Sequence, residues 1–558
     1  MFSFLLLALV AILIVLVRTL LAFHRNIKLA RQTKLPYTLS LVTELENWAY
    51  LTGPIVRKLS DSHLLKNGKG WPRWGRFMVK DWMYEDKYRA HQELGDTFLV
   101  VSPGGIICYT ADPDTAFSIC QRRRDFIKPR EKMKMIEPFG PSVVTTEGDL
   151  WRFHFRITAP PFKDEANRIV WAESQRQVDA MKQSWLGHGI NNLKSDVYSL
   201  GVNVIAAAGF GRPQAWTADK APPKGHRMTL VDSLTVVVSY LPHILLLPKW
   251  ALKLFVEEAY TAHTEFDSFT REIIAEEKVR MSEGKALSSN VNGNLLSAML
   301  TTGEREQKSS TERVALNDDE ILGNIFMFYM AANDTTANTI VYSCLAMALY
   351  EEAQDLVLQE IDRIMKSSAS LGHDMLSHEE DFIKFRCMMA FLYETLRIFP
   401  VVLPVSRVTS GPQKLFGENA ETLPDGCGTI VNITGVHYNE KCWPEPHTFE
   451  PKRWLASAPN DYVPSKDDVD VERSQATIPG HVRGTFLAFS EGPRACLGRR
   501  FAQAEYVAFF SGVLKDHKLR LAPGVDRQEV ETLLRRCSAG SPVSLMPPAD
   551  VKLQLVKR

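Results

Sequence analysis

The sequence predicts a mainly α-helical fold with a small β-rich part, preceded by a helix able to cross a membrane. Three stretches carry that expectation. Residues 2–17 are almost wholly apolar, Arg18 interrupts them, and Thr19–Phe23 resumes the run. Together they approach the roughly 20 residues needed to span a bilayer. Arg25, Lys28, Arg31 and Lys34 follow the run and no basic residue precedes it, which places the body of the protein on the cytoplasmic side. A cleaved secretory signal would need a basic segment before the run, and none is there. Second, Thr97–Val101 and Ile106–Thr110 are β-rich and flank Ser102-Pro103-Gly104-Gly105, a hairpin pattern. Third, Asn317-Asp318-Asp319-Glu320 opens a helix with a capping Asn, early acids and Glu three residues after the cap,. A long apolar run, Ile321–Met330, continues that helix, and most of the remaining chain also reads as helical.

The 558 residues are 45% hydrophobic, enough for a large core,. Without repeats or a long low-complexity linker, residues 1–35 read as an anchor with a basic flank and 36–558 as one large domain. A formal net charge of +1 excludes nucleic acid as a bulk electrostatic partner. The eight cysteines are scattered without paired spacing, so they read as reduced thiols rather than a disulfide framework or zinc site. Residues 36–95 resist assignment beyond the aromatic cluster Trp71-Pro72-Arg73-Trp74. His243–Trp250 is apolar around Pro248 and reads either as a second membrane contact or as a buried helix end. Residues 284–313 are polar and read as a mobile connection.

The chemistry concentrates in Phe489-Ser490-Glu491-Gly492-Pro493-Arg494-Ala495-Cys496-Leu497-Gly498. A lone buried cysteine is commonly an inert small hydrophobe. Here it lies between two glycines that permit sharp turns and close approach of a flat ligand. Arg494 can pair with an anionic group, and the helix expected from Arg499 turns its positive end towards the sulfur. Phe-x-x-Gly-x-Arg-x-Cys-x-Gly resembles the haem-binding signature of the cytochrome P-450 superfamily, the haem-thiolate monooxygenases. The resemblance implies the P-450 fold and haem b, with Cys496 as axial thiolate to the iron. Phe489, Gly492, Arg494 and Gly498 would then shape the cofactor loop.

Two further signatures resemble the same family in the same order. Ala331-Ala332-Asn333-Asp334-Thr335-Thr336 resembles its distal helix motif, with Ala332 in place of the usual Gly. Asp334 and Thr335 are by that match the acid–alcohol pair that supplies protons for oxygen activation. Glu394 and Arg397 lie three apart on one helix face and resemble the Glu-x-x-Arg element. Its third partner is Arg453, within Phe449–Trp454, where Lys452 and Trp454 depart from the family pattern. This triad implies a structural lock on the cysteine loop. Gly148–Arg156 resembles the family's C-helix, so Trp151 is expected on a haem propionate. The arginine expected four residues later is Phe155, and His154 and Arg156 are the alternatives beside it. Arg407, after Phe399–Ser406, is by the same resemblance the remaining propionate candidate, which implies that Val401, Val402, Leu403 and Val405 make an apolar pocket wall, with simple core packing as the alternative.

The resemblance implies an oxidoreductase that inserts one atom of dioxygen into a lipophilic small molecule. Electrons would come from NADPH through a separate flavoprotein reductase, with cytochrome b5 as a second candidate donor. Arg499 and Arg500 are candidate docking charges. The expected location is the endoplasmic reticulum membrane, with a single-pass N-terminal anchor and a cytosolic catalytic domain. The variant C-helix and the long loop 456–482 are similar to fungal enzymes of secondary metabolism, which suggests a terpenoid, polyketide or alkaloid substrate. Two alternatives stand beside this reading. The same iron chemistry could perform desaturation, ring closure, coupling or isomerisation. The protein could also be a non-catalytic haem-binding membrane protein, which would have no use for Asp334 and Thr335.

Overall fold

The computed structural model describes residues 2–558 except 44–45, 47, 67–70, 81, 217–220, 284–293, 306–314, 371–374, 417–420, 456–482, 537–543 and 549–550. The long loop 456–482 and Cys537 therefore lie outside the described residues, as does most of the connection read over 284–313. Within that connection a helix, Leu295–Arg305, is present, with Leu295, Leu296 and Met299 buried. Three apolar residues on neighbouring turns anchor it to the core, a signal masked by the surrounding polar composition.

Helices make up most of the structure, as expected. The apolar N-terminal run forms one continuous helix, Phe2–Gln32. Its residues from Leu9 onward are long and apolar enough to cross a membrane, and Leu13, Val15, Leu20 and Leu21 are exposed. The same helix reaches past the apolar stretch. Asn26 and Ala30 are buried, and Asn26 Nδ2 donates to the Ser102 carbonyl at 2.9 Å. The segment read as a basic flank is thus part of the packing of the body.

Ten strands are present among the described residues: β1 (Tyr37–Leu39), β2 (Thr97–Ser102), β3 (Gly105–Thr110), β4 (Phe126–Ile127), β5 (Pro404–Thr409), β6 (Gln413–Lys414), β7 (Thr422–Leu423), β8 (Gly428–Asn432), β9 (His517–Leu521) and β10 (Leu553–Lys557). The main sheet runs β1-β2-β3-β8-β5-β4, and β9–β10 and β6–β7 form two separate pairs. The hairpin expected at 97–110 is β2 and β3, paired antiparallel from Thr97↔Thr110 to Ser102↔Gly105. Strand β8 then pairs with both β3 and β5, joining the N-terminal hairpin to the segment that follows the Glu394 helix.

The centre of the helical part is the distal helix, Asp318–Leu349. Its capping box forms as expected: Glu320 N–H donates to Asn317 Oδ1 and Asn317 N–H to Glu320 Oε2, both at 2.9 Å. It is buried from Glu320 to Leu349 apart from Ala331, Ala332 and Thr335. Around it pack Leu193–Phe210, Arg386–Ile398 and Arg499–Leu514. A helix apolar on all faces is stable only when surrounded, and this one is.

Candidate active site

The cysteine loop is set by its backbone. A 3₁₀ turn, Gly492–Arg494, precedes Cys496, and Cys496 N–H donates to the Phe489 carbonyl at 2.9 Å. Gly492 has φ +73°, and a Cβ there would lie 2.6 Å from the Cys120 carbonyl oxygen. Glycine is required on both counts. Gly498 is the residue before the helix Arg499–Leu514, and among the described residues no atom outside Gly498 and its chain neighbours lies within 4 Å of where its Cβ would be. Cys496 is exposed although protein surrounds it, and desolvation raises its thiol pKa. The Gly498 N–H and the Arg499 charge act in the opposite direction. A donor set of this kind suits a thiolate whose charge a metal ion completes.

Beside the loop a group of cations converges. The Arg494 guanidinium lies 4.0 Å from the Trp151 ring centre, with Arg123 at 4.7 Å. Arg494 donates to Glu147 Oε1 at 2.7 Å and to the Thr146 carbonyl at 3.0 Å, while its buried Nε has no partner among the described residues. Arg407 is buried, and desolvation holds its guanidinium below the usual range. Lys128 is pushed much further down, by burial first and then by Arg494 and Arg407. Arg494 pairs with the Glu147 carboxylate and Arg407 also feels its charge, so one carboxylate serves two guanidiniums and the cluster carries an excess of positive charge. An anionic group with several oxygens is the ligand it fits.

His154 does not join this cluster. It is fully buried, with Nδ1 3.0 Å from Asn324 Nδ2 and Nε2 3.5 Å from Glu320 Oε1. Both ring nitrogens face the first turns of the distal helix, which leaves neither for a carboxylate at Arg494. Its candidacy from helical spacing is corrected by this packing. Arg156 is exposed, with its guanidinium 5.7 Å from the Phe153 ring. Phe155 instead packs its ring on Trp151 at 5.2 Å. The cations that gather are Arg123 and Lys128, which the sequence reading missed. Arg123 sits in the run Arg122-Arg123-Arg124, which has the look of a solvated surface, and no spacing rule marks Lys128.

The expected triad residues meet. Glu394 and Arg397 are both fully buried, with Arg397 Nη2 2.8 Å from Glu394 Oε1 and Nε 2.9 Å from Oε2. Arg453 Nε reaches Glu394 Oε1 at 3.2 Å. Trp454, a departure from the family pattern, donates its indole N–H to Glu394 Oε2 at 2.9 Å. Arg397 also donates to the carbonyls of His437, Pro446 and Thr448. His437 Nε2 in turn accepts from Leu487 N–H at 3.0 Å, two residues before Phe489. A hydrogen-bonded path therefore runs from Glu394 to the start of the cysteine loop.

On the distal side the structure does not bring Asp334 to Thr335. Thr335 Oγ1 donates back to the Ala331 carbonyl at 2.8 Å. Asp334 accepts from Tyr198 O–H at 2.6 Å on one oxygen and from Ser544 O–H on the other. The partly exposed residues Ala331, Ala332 and Thr335 form one face by helical spacing. An accessible face inside an otherwise buried helix, together with an exposed thiol and a partnerless buried guanidinium N–H, fits a flat, metal-bearing group with anionic substituents.

The family model for cytochrome P450 matches residues 66–543. The chain belongs to the cytochrome P450 family. It is 39% identical to a cytochrome P450 monooxygenase from Penicillium roqueforti over 549 residues, covering 95% of this chain and 93% of that one. A cytochrome P450 monooxygenase from Penicillium rubens is 38% identical with the same coverages. Among solved structures, the haem domain of a cytochrome P450 aligns with TM-score 0.67 at 16% identity, covering 88% of this chain and 96% of that one. That likeness shows the fold. The chain is an oxidoreductase of the monooxygenase type whose cofactor is haem with thiolate-ligated iron.

Proposed function

We propose that this P450 inserts one oxygen atom into a lipophilic small molecule, a secondary metabolite by its fungal relatives, using electrons from NADPH through a separate flavoprotein reductase. The observation that carries the reading is the exposed Cys496 thiol in a glycine-bounded loop whose Arg494 stacks on Trp151 next to Arg123, and the partly exposed Ala331, Ala332 and Thr335 of the distal helix agree with it. Haem held there supplies activation of dioxygen. Cys496 would ligate its iron, and Arg494, Arg407, Arg123 and Lys128 would bind its propionates with Trp151 beside them. Glu394, Arg397 and Arg453 hold the loop that presents the thiol. Asp334 is the proton-supplying acid and Thr335 the hydroxyl that passes the proton on, which requires the Thr335 O–H to leave the Ala331 carbonyl. Val401, Val402, Leu403 and Val405, before and within β5, give the substrate an apolar wall.

The body would stand on the cytosolic face of the endoplasmic reticulum membrane, anchored by the helix Phe2–Gln32. Leu246, Trp250, Leu254 and Phe255 are 70–79% exposed on two short helices, Leu241–Leu246 and Lys249–Phe255. A buried helix end does not expose them, and a second membrane contact accounts for the patch. Arg500 pairs with the exposed Asp164 at 3.0 Å, and Arg499 lies over the Phe489 ring at 5.5 Å. Arg499 is the better reductase-docking candidate of the two, since Arg500 is already tied to Asp164.

The test is the reduced, carbon-monoxide difference spectrum of wild type beside Cys496→Ser. Wild type should show the red-shifted thiolate band and the variant should lose it. A folded, haem-loaded wild type without the band would overturn the assignment of Cys496. Thr335→Ala should then release several times more peroxide per NADPH, and unchanged release would remove Thr335 from the relay.

A further inference from the structure

Three helices meet beside Gly201. The helix Leu193–Phe210 carries that glycine, the distal helix brings Asn333, and the helix Arg499–Leu514 brings Glu505. A Cβ on Gly201 would stand 2.5 Å from Asn333 Oδ1 and 3.6 Å from Glu505 Oε1. The missing side chain lets the three backbones close in and leaves a gap that both oxygens border. Asn333 and Glu505 are 3% and 1% exposed, and neither of these two oxygens has a hydrogen-bond partner among the described residues. A buried oxygen without a donor costs about 1–3 kcal/mol. Two of them facing one gap call for a shared donor.

Water can reach the gap. Asn333 lies with Tyr198 and Asp334 at the buried floor of a polar shaft of about 350 Å³ between Leu193–Phe210 and the helix Leu230–Ser239. Ser195 and Thr235 at its rim are exposed. The same turn of the distal helix continues from Asn333 into Asp334 and Thr335, so the pose of the Asn333 amide bears directly on where those two side chains stand.

We propose that Glu505 is a positioning residue: its carboxyl group, through one water in the gap, holds the Asn333 amide and so fixes the turn that carries Asp334 and Thr335. The inference rests on the reading of those two residues as the proton relay. The water accepts the carboxyl O–H. It donates one of its own O–H groups back to Glu505 Oε1 and the other to Asn333 Oδ1, so both buried oxygens gain a donor. Once ionised, Glu505 has no proton to give and accepts only. It then recruits the Asn333 amide N–H, which turns that side chain over and releases the turn.

Burial alone pushes the Glu505 carboxyl up to about 8 from an ordinary 4.5. The donating form is therefore present below about pH 8 and is lost above it. Ionisable groups on the helices packed around it are otherwise engaged. Glu173 is tied to Arg176 and Gln177, Lys182 to the Gly512 carbonyl, and Tyr198 to Asp334. Glu394 is tied to Arg397, Tyr393 to Gln503, Glu360 to the Cys387 and Met388 N–H groups, and Tyr506 to Ser343.

The first test needs no turnover. Infrared pH titration of the full-length, haem-loaded ferric enzyme should show a neutral carboxyl band that persists at pH 7, titrates near pH 8 and is missing from Glu505→Gln. Asn333→Leu removes the acceptor and should shift the frequency of that band. A band absent at pH 7, or indifferent to Asn333→Leu, would overturn the hydrogen bond. The positioning role is read with reductase, NADPH and no added substrate, where dioxygen takes two electrons and two protons to peroxide, or four of each to water. Peroxide released per NADPH should rise about two-fold or more in wild type between pH 7 and pH 9. Glu505→Gln, whose amide keeps a donor, should hold the pH 7 ratio over that range. Glu505→Met, which has none, should show the raised ratio at both ends. Parallel pH profiles in wild type and Glu505→Gln would overturn the positioning role. If Thr335→Ala leaves the ratio unchanged, the relay reading falls, while the infrared titration still decides the hydrogen bond.

Discussion

The two sides of the candidate haem site are built in contrasting ways. On the cysteine side, the charges that lock the loop come from short motifs: Glu394 and Arg397 within one turn, Arg453 and Trp454 adjacent to each other. On the distal side, Asp334 is held by Tyr198 and Ser544, which lie 136 and 210 residues away. The cysteine side is a closed lock in which both Glu394 oxygens accept several donors. The distal side keeps an accessible face at Ala331, Ala332 and Thr335 and a polar shaft behind it. Rigidity serves the side that must hold a ligand atom in place, and hydroxyl groups that can change partners serve the side that must move protons.

Breaking the lock should have the largest effect. Glu394→Gln leaves the buried Arg397 without its counter-charge, and removing one partner of a buried pair costs about 3–5 kcal/mol. Thermal unfolding should show that loss, and the purified variant should retain little haem. If Glu394→Gln binds haem as wild type does, the two sides do not differ as described. Trp454→Phe removes one donor from Glu394 while keeping the aromatic packing on Tyr393 and Phe486. A loss of about 1–3 kcal/mol is expected, with haem retained, and the check is a denaturant titration.

The most informative effect lies where the two sides meet, and it shows only as a dependence on pH. Glu505, on the helix that follows Cys496, is buried, and desolvation pushes its carboxyl up to about 8 from an ordinary 4.5. Its Oε1 has no hydrogen-bond partner among the described residues. A methyl group at Gly201 would sit 2.5 Å from Asn333 Oδ1 and 3.6 Å from Glu505 Oε1. Glycine there lets a buried acid of the cysteine side approach the helix that carries Asp334. Because the folded pKa is the higher one, folding binds a proton between the two values. The contribution to stability is therefore full below about pH 4.5 and declines as pH rises to about 8,. Glu505→Gln should flatten the fall of melting temperature between pH 5 and pH 8, removing a slope of at most about 1.4 kcal/mol per pH unit. An identical slope in both proteins would show Glu505 to be ionised and otherwise paired.

The same contrast explains what could be read from the chain alone. The Phe489–Gly498 loop, the Glu394–Arg397 pair and the capped distal helix are local patterns, each needing only neighbours within one or two turns. The hairpin β2–β3 was legible for the same reason. His154 misled because helical spacing gives a face but not what packs on it, and Glu320 and Asn324 occupy that face. Lys128, Arg123, Tyr198 and Ser544 were invisible because their partners are set by tertiary packing. Trp454 looked like a loss from a motif, whereas its indole N–H adds a donor the usual residue lacks.

The unbroken helix Phe2–Gln32 has one more consequence. Since Asn26 fastens its far end to the Ser102 carbonyl, whatever holds the apolar stretch also sets the bearing of the whole body. Each residue inserted between Phe23 and Asn26 would advance that end by 1.5 Å and swing the body by about 100° about the helix axis. One added residue would aim Leu246 and Trp250 elsewhere, and a seven-residue insertion, close to two full turns, would bring them nearly back. The stem works as an index wheel for the enzyme's heading, with a period written in the α-helix itself.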